Sequence, residues 1–404
     1  MMDTGVTAFM ILSVSLVMLM TPGLAFFYGG LAGKRNILGI MMQTFVSLGI
    51  TTIMWVAIGY SLCFSGGEGG IIGNFDFAFL RNIPFDEMYP GNGKFPTYTF
   101  IAYQMMFAII TPALITGAFV NRITFKAYLI FLIVWQLFVY YPFVHMVWGG
   151  GILAEWGVLD FAGGIVVHAT AGFAALASII YVGKRRDTKS PPNSIPLVAI
   201  GTGLLWFGWY GFNAGSELDV DVNTTLAFLN TDIAASFAAI TWLIIEWVKT
   251  GKPKFVGLLT GAVAGLATIT PAAGFVPIWA AMLIGIAAGA VCFLAVALKN
   301  KLGWDDALDV WGVHGIGGTL GTILLGVFAS ATVSAQTGLI EGNVGFFLKE
   351  VAAVAVAAVY AFVFTYLMLA LINFITKVKV SEEDEEAGLD QSLHGEKAYD
   401  EGAL

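Results

Sequence analysis

Eleven stretches of this chain are apolar for long enough to cross a bilayer, and no other feature limits its fold so strongly. A helix needs about 20 apolar residues to traverse the hydrocarbon core. Such runs occur at roughly 7–31, 38–63, 97–119, 125–147, 161–183, 195–215, 224–248, 255–273, 276–298, 309–332 and 345–376. The last is long enough to tilt or to run past the membrane. Only 11% of the 404 residues are charged, against about 25% in a soluble domain. The expected architecture is therefore an all-α polytopic membrane protein with eleven transmembrane helices. Its 49 glycines suit close helix–helix contact better than loops. Cys63 and Cys292 both lie in apolar runs and read as small core residues, neither a disulfide nor a metal site.

Charge is segregated. The tail from Ser381 holds nine acidic residues and Lys397, which carries the whole formal net charge of −8. It reads as a separate, soluble acidic element, 381–404, beyond a transmembrane domain at 1–380. Lys and Arg crowd one set of loops: Lys34 and Arg35, Arg122 and Lys126, Lys184 to Arg186 with Lys189, Lys249 to Lys254, Lys299 and Lys301, and Lys377 and Lys379. The opposite set has only Arg81, Lys94 and Lys349. The bias predicts an outside N-terminus and a cytoplasmic C-terminus. No basic region precedes the first span and no cleavage site follows it, so it reads as a retained helix.

The chain echoes itself. Span 5 opens "DFAGGIVVH" and span 10 opens "DALDVWGVH". Asp160 precedes His168 by the interval that separates Asp306 from His314. Five spans per half give the halves opposite orientations, so 7–183 and 195–332 read as inverted repeats with a site between them. Span 11 then leads to the tail. A charged group at mid-span costs roughly 2.5–3.5 kcal/mol; a neutral imidazole costs less. His168 and His314 are open to three readings: a structural pair joining two helices, a pore or proton relay, and a bis-histidine haem site, which no other haem or metal signature supports.

Asp160 stands directly before a helix, as an N-cap does; Asp306 and Asp309 have the same reading. A long-range effect of Asp160 on a passing cation is compatible with capping. Aromatic side chains gather at one end of three spans: Tyr103 and Phe107 one turn apart in "YQMMFA", Trp148 in "HMVWGGG", and Trp209, Phe212 and Ser216 in "WYGFNAGSE". They fit an aromatic cage for a small cation with one hydroxyl acceptor, or an interfacial belt.

At these residues the sequence resembles ammonium transporters of the Amt/Mep/Rh family, in the Amt type of bacteria and archaea. "PGLAFFYGGL", "DFAGGIVVH", "WYGFNAGS", "ITPAAGFV", "DVWGVHG" and "EEAGLDQSLHGEKAY" occur in the family's order across nearly the whole chain. The resemblance implies that Phe107, Trp148 and Ser216 recruit ammonium, with methylammonium as its analogue. It implies that Phe107 and Phe212 form a gate and that His168 and His314 line a narrow apolar pore. Asp160 would support the recruitment site and the helix start, with Trp209 and Tyr103 beside it. It further implies a homotrimer in the cytoplasmic membrane, with a PII-type signal protein on the cytoplasmic face. No cofactor and no nucleic-acid partner is expected. No nucleophile–base–acid set, phosphate loop or metal-ligand spacing suggests an enzyme. The rival reading is an ammonium sensor acting through a cytoplasmic partner, since the tail is too short to fold as a signalling domain of its own.

Overall fold

The computed structural model describes residues 2–67, 69–188 and 190–399, so Lys189 and the tail beyond 399 lie outside the described residues. Among the described residues there is no β-strand, only two isolated bridges. The helices are α1 (Thr4–Leu31), α2 (Ile37–Phe64), α3 (Thr97–Ile115), α4 (Phe125–Trp156, broken at 149–151), α5 (Gly164–Val182), α6 (Ile195–Glu217), α7 (Val222–Thr250), α8 (Phe255–Ile269), α9 (Ile278–Leu302), α10 (Trp311–Phe328) and α11 (Val344–Ile375). Ten of them are long and apolar enough to cross a bilayer, and α8 is the shorter eleventh. The eleven expected spans are therefore all present as helices.

The span expected at 255–273 stops at Ile269. Its 15 residues reach only about 22 Å at 1.5 Å per residue, less than a hydrocarbon core. The chain then turns through "TPAAGFVP" inside the protein, where Thr270, Ala272, Ala273 and Val276 are all buried. Irregular backbone at membrane depth persists only where protein encloses and satisfies it. Asn230 of α7 does so, donating its amide to the carbonyls of Ala273 and Val276, each at 2.9 Å.

Small residues set the helix spacing. Ala234 and Ala238 of α7 lie between Gly261 and Gly265 of α8 on one side and Gly285 and Gly289 of α9 on the other; a Cβ on any of these glycines would fall within 3.0 Å of α7. This is small-xxx-small packing, which lets backbones approach where lipid supplies no hydrophobic driving force. The two halves meet in the same way. Gly172, four residues after His168, packs on Gly315, one residue after His314; Gly318, four after His314, packs on Ala169, one after His168. The sequence echo is thus a spatial one.

The acidic segment does not stand apart from the bundle. After α11 the backbone amides of Thr124 and Val380 exchange hydrogen bonds with the carbonyls of Val378 and Arg122. Two short helices follow, α12 (Glu382–Ala387) and α13 (Leu389–His394). Asp390 accepts the backbone amides of Ile37 and Gly39 at 3.0 and 2.7 Å, and Leu389 donates to Asn36. Arg186 pairs with Glu382 and Glu386. The reason is complementarity: the first turn of α2 has unpaired N–H groups and a positive dipole end, and the loops beside it are basic. This face is called the tail face below.

Candidate functional site

At the face opposite the tail a cavity of about 600 Å³ opens, lined among others by Gln104, Phe107, Trp148, Asp160 and Ser216. Phe107 forms its floor. The ring stands edge-on to Trp148 at 6.0 Å and 89°, and stacks on Phe212 at 4.2 Å and 25°. The sequence places these rings simply. Tyr103 and Phe107 are a helical turn apart on α3, with ring centroids 5.0 Å apart. Trp148 ends the unbroken part of α4 because Gly149 to Gly151 cannot continue it.

Ser216 sits in the tight last turn of α6 and donates its hydroxyl to the Phe212 carbonyl at 2.8 Å. Having used its one proton, it offers lone pairs to whatever lies in the cavity. Tyr103 fixes this turn, its hydroxyl lying 2.8 Å from the Gly211 carbonyl, 2.9 Å from that of Phe212 and 3.2 Å from the Ser216 hydroxyl.

Asp160 is buried and its carboxylate turns into the start of α5. Its two oxygens accept the backbone amides of Gly163, Gly164, Ile165 and Val166 at 2.6–3.0 Å. Its backbone carbonyl accepts Trp148 Nε1 at 2.8 Å. The residue therefore caps one helix and holds the Trp148 indole at the cavity wall. Asp306 caps α10 more weakly, through the Trp311 amide at 2.7 Å. Asp309 has another partner, the buried Lys299 at 2.7 Å.

Below the stacked phenylalanines lies an enclosed cavity of about 10 Å³, lined by His168, His314, Phe212, Trp209 and aliphatic side chains such as Leu24, Ile110, Leu114 and Val263. That is the size of a single small molecule. His168 Nδ1 and His314 Nδ1 are 3.3 Å apart, with rings 5.2 Å apart and nearly parallel. Neutral rings can share only one proton across this contact. One ring then presents an Nε2 lone pair and the other an Nε2–H, so the pair is polar along its length. His168 Nε2 has no partner. Trp209 stacks on His168 at 5.5 Å and donates to Thr270 at 2.9 Å. Beneath His314 a further cavity of about 200 Å³ opens towards the tail face past Tyr28, Arg185 and Asp309.

The structure thus brings Tyr103, Phe107, Trp148, Asp160, His168, Trp209, Phe212, Ser216 and His314 into one connected set. His145 is elsewhere, its Nδ1 lying 3.0 Å from the Cys63 carbonyl, and His394 packs on Phe125 in the docked tail. Both cysteines are buried and unpaired. Several polar residues around the cavity were not singled out by sequence: Gln104, Glu217, Asp221 and Asn223 line it, and behind its wall Glu350 is fully buried and accepts the Leu159 amide. A lone carboxylate inside the last apolar run was the available signal for Glu350.

Comparison with known proteins is consistent across methods. The model of the Ammonium Transporter Family matches residues 8–399. An ammonium transporter of Bacillus subtilis is 45% identical over 404 residues, covering 98% of this chain and 99% of that protein. The crystal structure of Saccharomyces cerevisiae Mep2 superposes with a TM-score of 0.89 at 34% identity, over 95% of this chain and 88% of the other. A structure described as a sensor Amt protein superposes with a TM-score of 0.88 at 29% identity, over 95% and 97% of the two chains.

Proposed function

The chain belongs to the ammonium transporter family, a family of transporters and not of enzymes, and on that premise we propose how this molecule moves its substrate. Ammonium is recruited as a cation between Phe107, Trp148 and Ser216. The ring faces attract its charge, worth about 2 kcal/mol or more once water is excluded, and the Ser216 lone pairs take one N–H. The stacked Phe107 and Phe212 close the way to anything hydrated. Beyond them a bare cation meets only apolar walls and one imidazole pair, where charge is costly. Ammonium escapes that cost by releasing a proton; potassium, of similar size, has none to release. Ammonia then passes His168 and His314, with the lone pair of one ring and the N–H of the other matching a molecule that both donates and accepts. The proton passes to water in the outer cavity and stays behind, or is handed on through the imidazole pair and crosses with the ammonia.

One observation carries this reading: the cage, the ring stack and the histidine pair stand in series between a wide cavity on one face and a smaller one on the other. The Lys and Arg bias supports an outside N-terminus, hence uptake across the cytoplasmic membrane from the cage side. The working unit is a homotrimer in the bilayer with one pathway per subunit, and the tail face is where a PII-type signal protein binds.

The deciding measurement is the transient current of proteoliposomes on a solid-supported membrane after an ammonium jump, with a potassium jump as control. A saturable current with ammonium alone is expected if charge crosses with nitrogen. Internal alkalinisation without current indicates neutral ammonia. Neither signal from a folded trimer would overturn transport in favour of sensing, the reading to which the sensor Amt neighbour lends support.

A further inference from the structure

We propose that Glu350 is a positioning residue for the outer cation site, acting on Trp148 through the strip 158–161. Glu350 lies near one end of α11 and is completely buried. An ionisable side chain inside a membrane-spanning helix is costly and calls for a role. Its Oε1 accepts the Leu159 amide at 2.7 Å, and its Oε2 has no partner.

Leu159 begins a run of consecutive anchors. The next residue, Asp160, receives Trp148 Nε1 on its carbonyl at 2.8 Å. The one after, Phe161, donates its amide to the Pro271 carbonyl at 3.1 Å. All three residues line the cavity above the ring stack. The strip is held at several points: Val158 donates to the Leu153 carbonyl, the Asp160 carboxylate is tied to the start of α5, and Phe161 donates to Pro271; Glu350 adds the hold from α11, on the residue directly before the carbonyl that aims the indole. Gly157 turns into the strip with φ +87°, and a Cβ there would come 3.4 Å from Lys349 Nζ. Gly326 of α10 packs on α11 here: a Cβ on it would lie 3.1 Å from Phe347 Cα and 3.3 Å from Glu350 Cβ, so Gly326→Ala would push this turn of α11, Glu350 included, away from the strip. Cation–π attraction depends on the cation sitting over the ring face, so letting the strip relax weakens recruitment while leaving the histidine pathway intact.

The inference rests on the cage reading above, and its test separates the two. Glu350→Asp retracts the carboxylate by one methylene and cannot reach the Leu159 amide unaided; Glu350→Gln keeps an oxygen at the same reach. Each is reconstituted and the ammonium concentration giving half-maximal current is measured alongside the maximum. Glu350→Asp is expected to raise the half-saturating concentration roughly three- to tenfold with the maximum retained, and Glu350→Gln to stay at the wild-type value. In a Trp148→Leu background Glu350→Asp is expected to add nothing. Should Glu350→Asp not be recovered folded, Gly326→Ala replaces it with the same expectation. An unchanged half-saturating concentration, an equal shift with Gln, or full additivity on Trp148→Leu would each overturn the proposal. If Trp148→Leu itself causes no shift, it is the cage reading that fails.

Discussion

Asp160 shows how much one side chain can fix in this protein. Its carboxylate accepts four backbone amides at the buried start of α5. Leaving a buried amide unpaired costs about 1–3 kcal/mol, so Asp160→Ala is expected to give little folded protein by size-exclusion chromatography. Asp160→Asn keeps one acceptor oxygen and is expected to fold with a lower Tm. The histidines are a contrasting case, because they hold only each other. Replacing both by leucine is expected to leave the fold intact, and to stop net charge movement or admit potassium; unchanged currents and selectivity in that variant would remove the pair from the mechanism. Both sites were legible in the sequence for one reason: an ionisable residue in an apolar run stands out, and here each occurs twice at matched spacing. Glu350 and Asn230 carried half of that signal, a polar group in a span without an echo, and so passed unremarked. The destination of the Ser216 proton was not legible at all, since it depends on the last turn of α6.

At the scale of elements, the two histidine helices share a feature that no composition rule encodes. Both open with a π-helical segment, Gly164–Ala169 and Trp311–Gly315, each containing its histidine. The extra residue per turn turns each imidazole toward the other, and such segments recur at functional sites. The repeat could be read from "DFAGGIVVH" and "DALDVWGVH", but not this local unwinding. Close packing holds the segments in register. A Cβ on Gly172 would lie 2.1 Å from the Gly315 Cα and N, backbone atoms with nowhere to go. Gly172→Ala is therefore expected to cost about 1–3 kcal/mol, read as a lower Tm, and to widen the histidine contact enough to depress transport. The start of α10 also gives a pH dependence. Burial raises the Asp306 carboxyl to about 6 against the favourable charge of Lys299, with Asp309 pushing the same way as burial. A carboxyl raised on folding favours the native state most below its unfolded value, and that contribution is lost as pH rises through 6. Relative to Asp306→Asn, the wild-type Tm is expected to gain between pH 7 and pH 4.5. A constant difference between the two proteins would show that Asp306 does not titrate there.

For the molecule as a whole, the important coupling is between the tail and the bundle. Sequence alone made 381–404 a solvated acidic element, because nothing in a run of carboxylates names a helix N-terminus some 350 residues earlier as its partner. Besides the backbone contacts of Leu389, Asp390 and Glu386 with Asn36 and Arg35, two side-chain contacts of very different worth hold the docked tail. Arg186 pairs with Glu382 and Glu386 at the surface, where an exposed ion pair contributes about 0–1 kcal/mol and is screened by salt. Asp390 is buried and caps α2 through two amides, a contact of about 0.5–2 kcal/mol with no equivalent replacement nearby. The tail should therefore be held chiefly by one aspartate. In hydrogen-exchange measurements on the reconstituted protein, Asp390→Ala is expected to reduce amide protection in α13 and the first turn of α2 together, by roughly three- to thirtyfold. Arg186→Ala is expected to change it less than twofold, and raised salt to have as little effect. Loss of protection in the tail alone would mean that α2 has another cap. A large effect of Arg186→Ala would move the hold to the charged surface, where a protein partner on that face could compete for it directly.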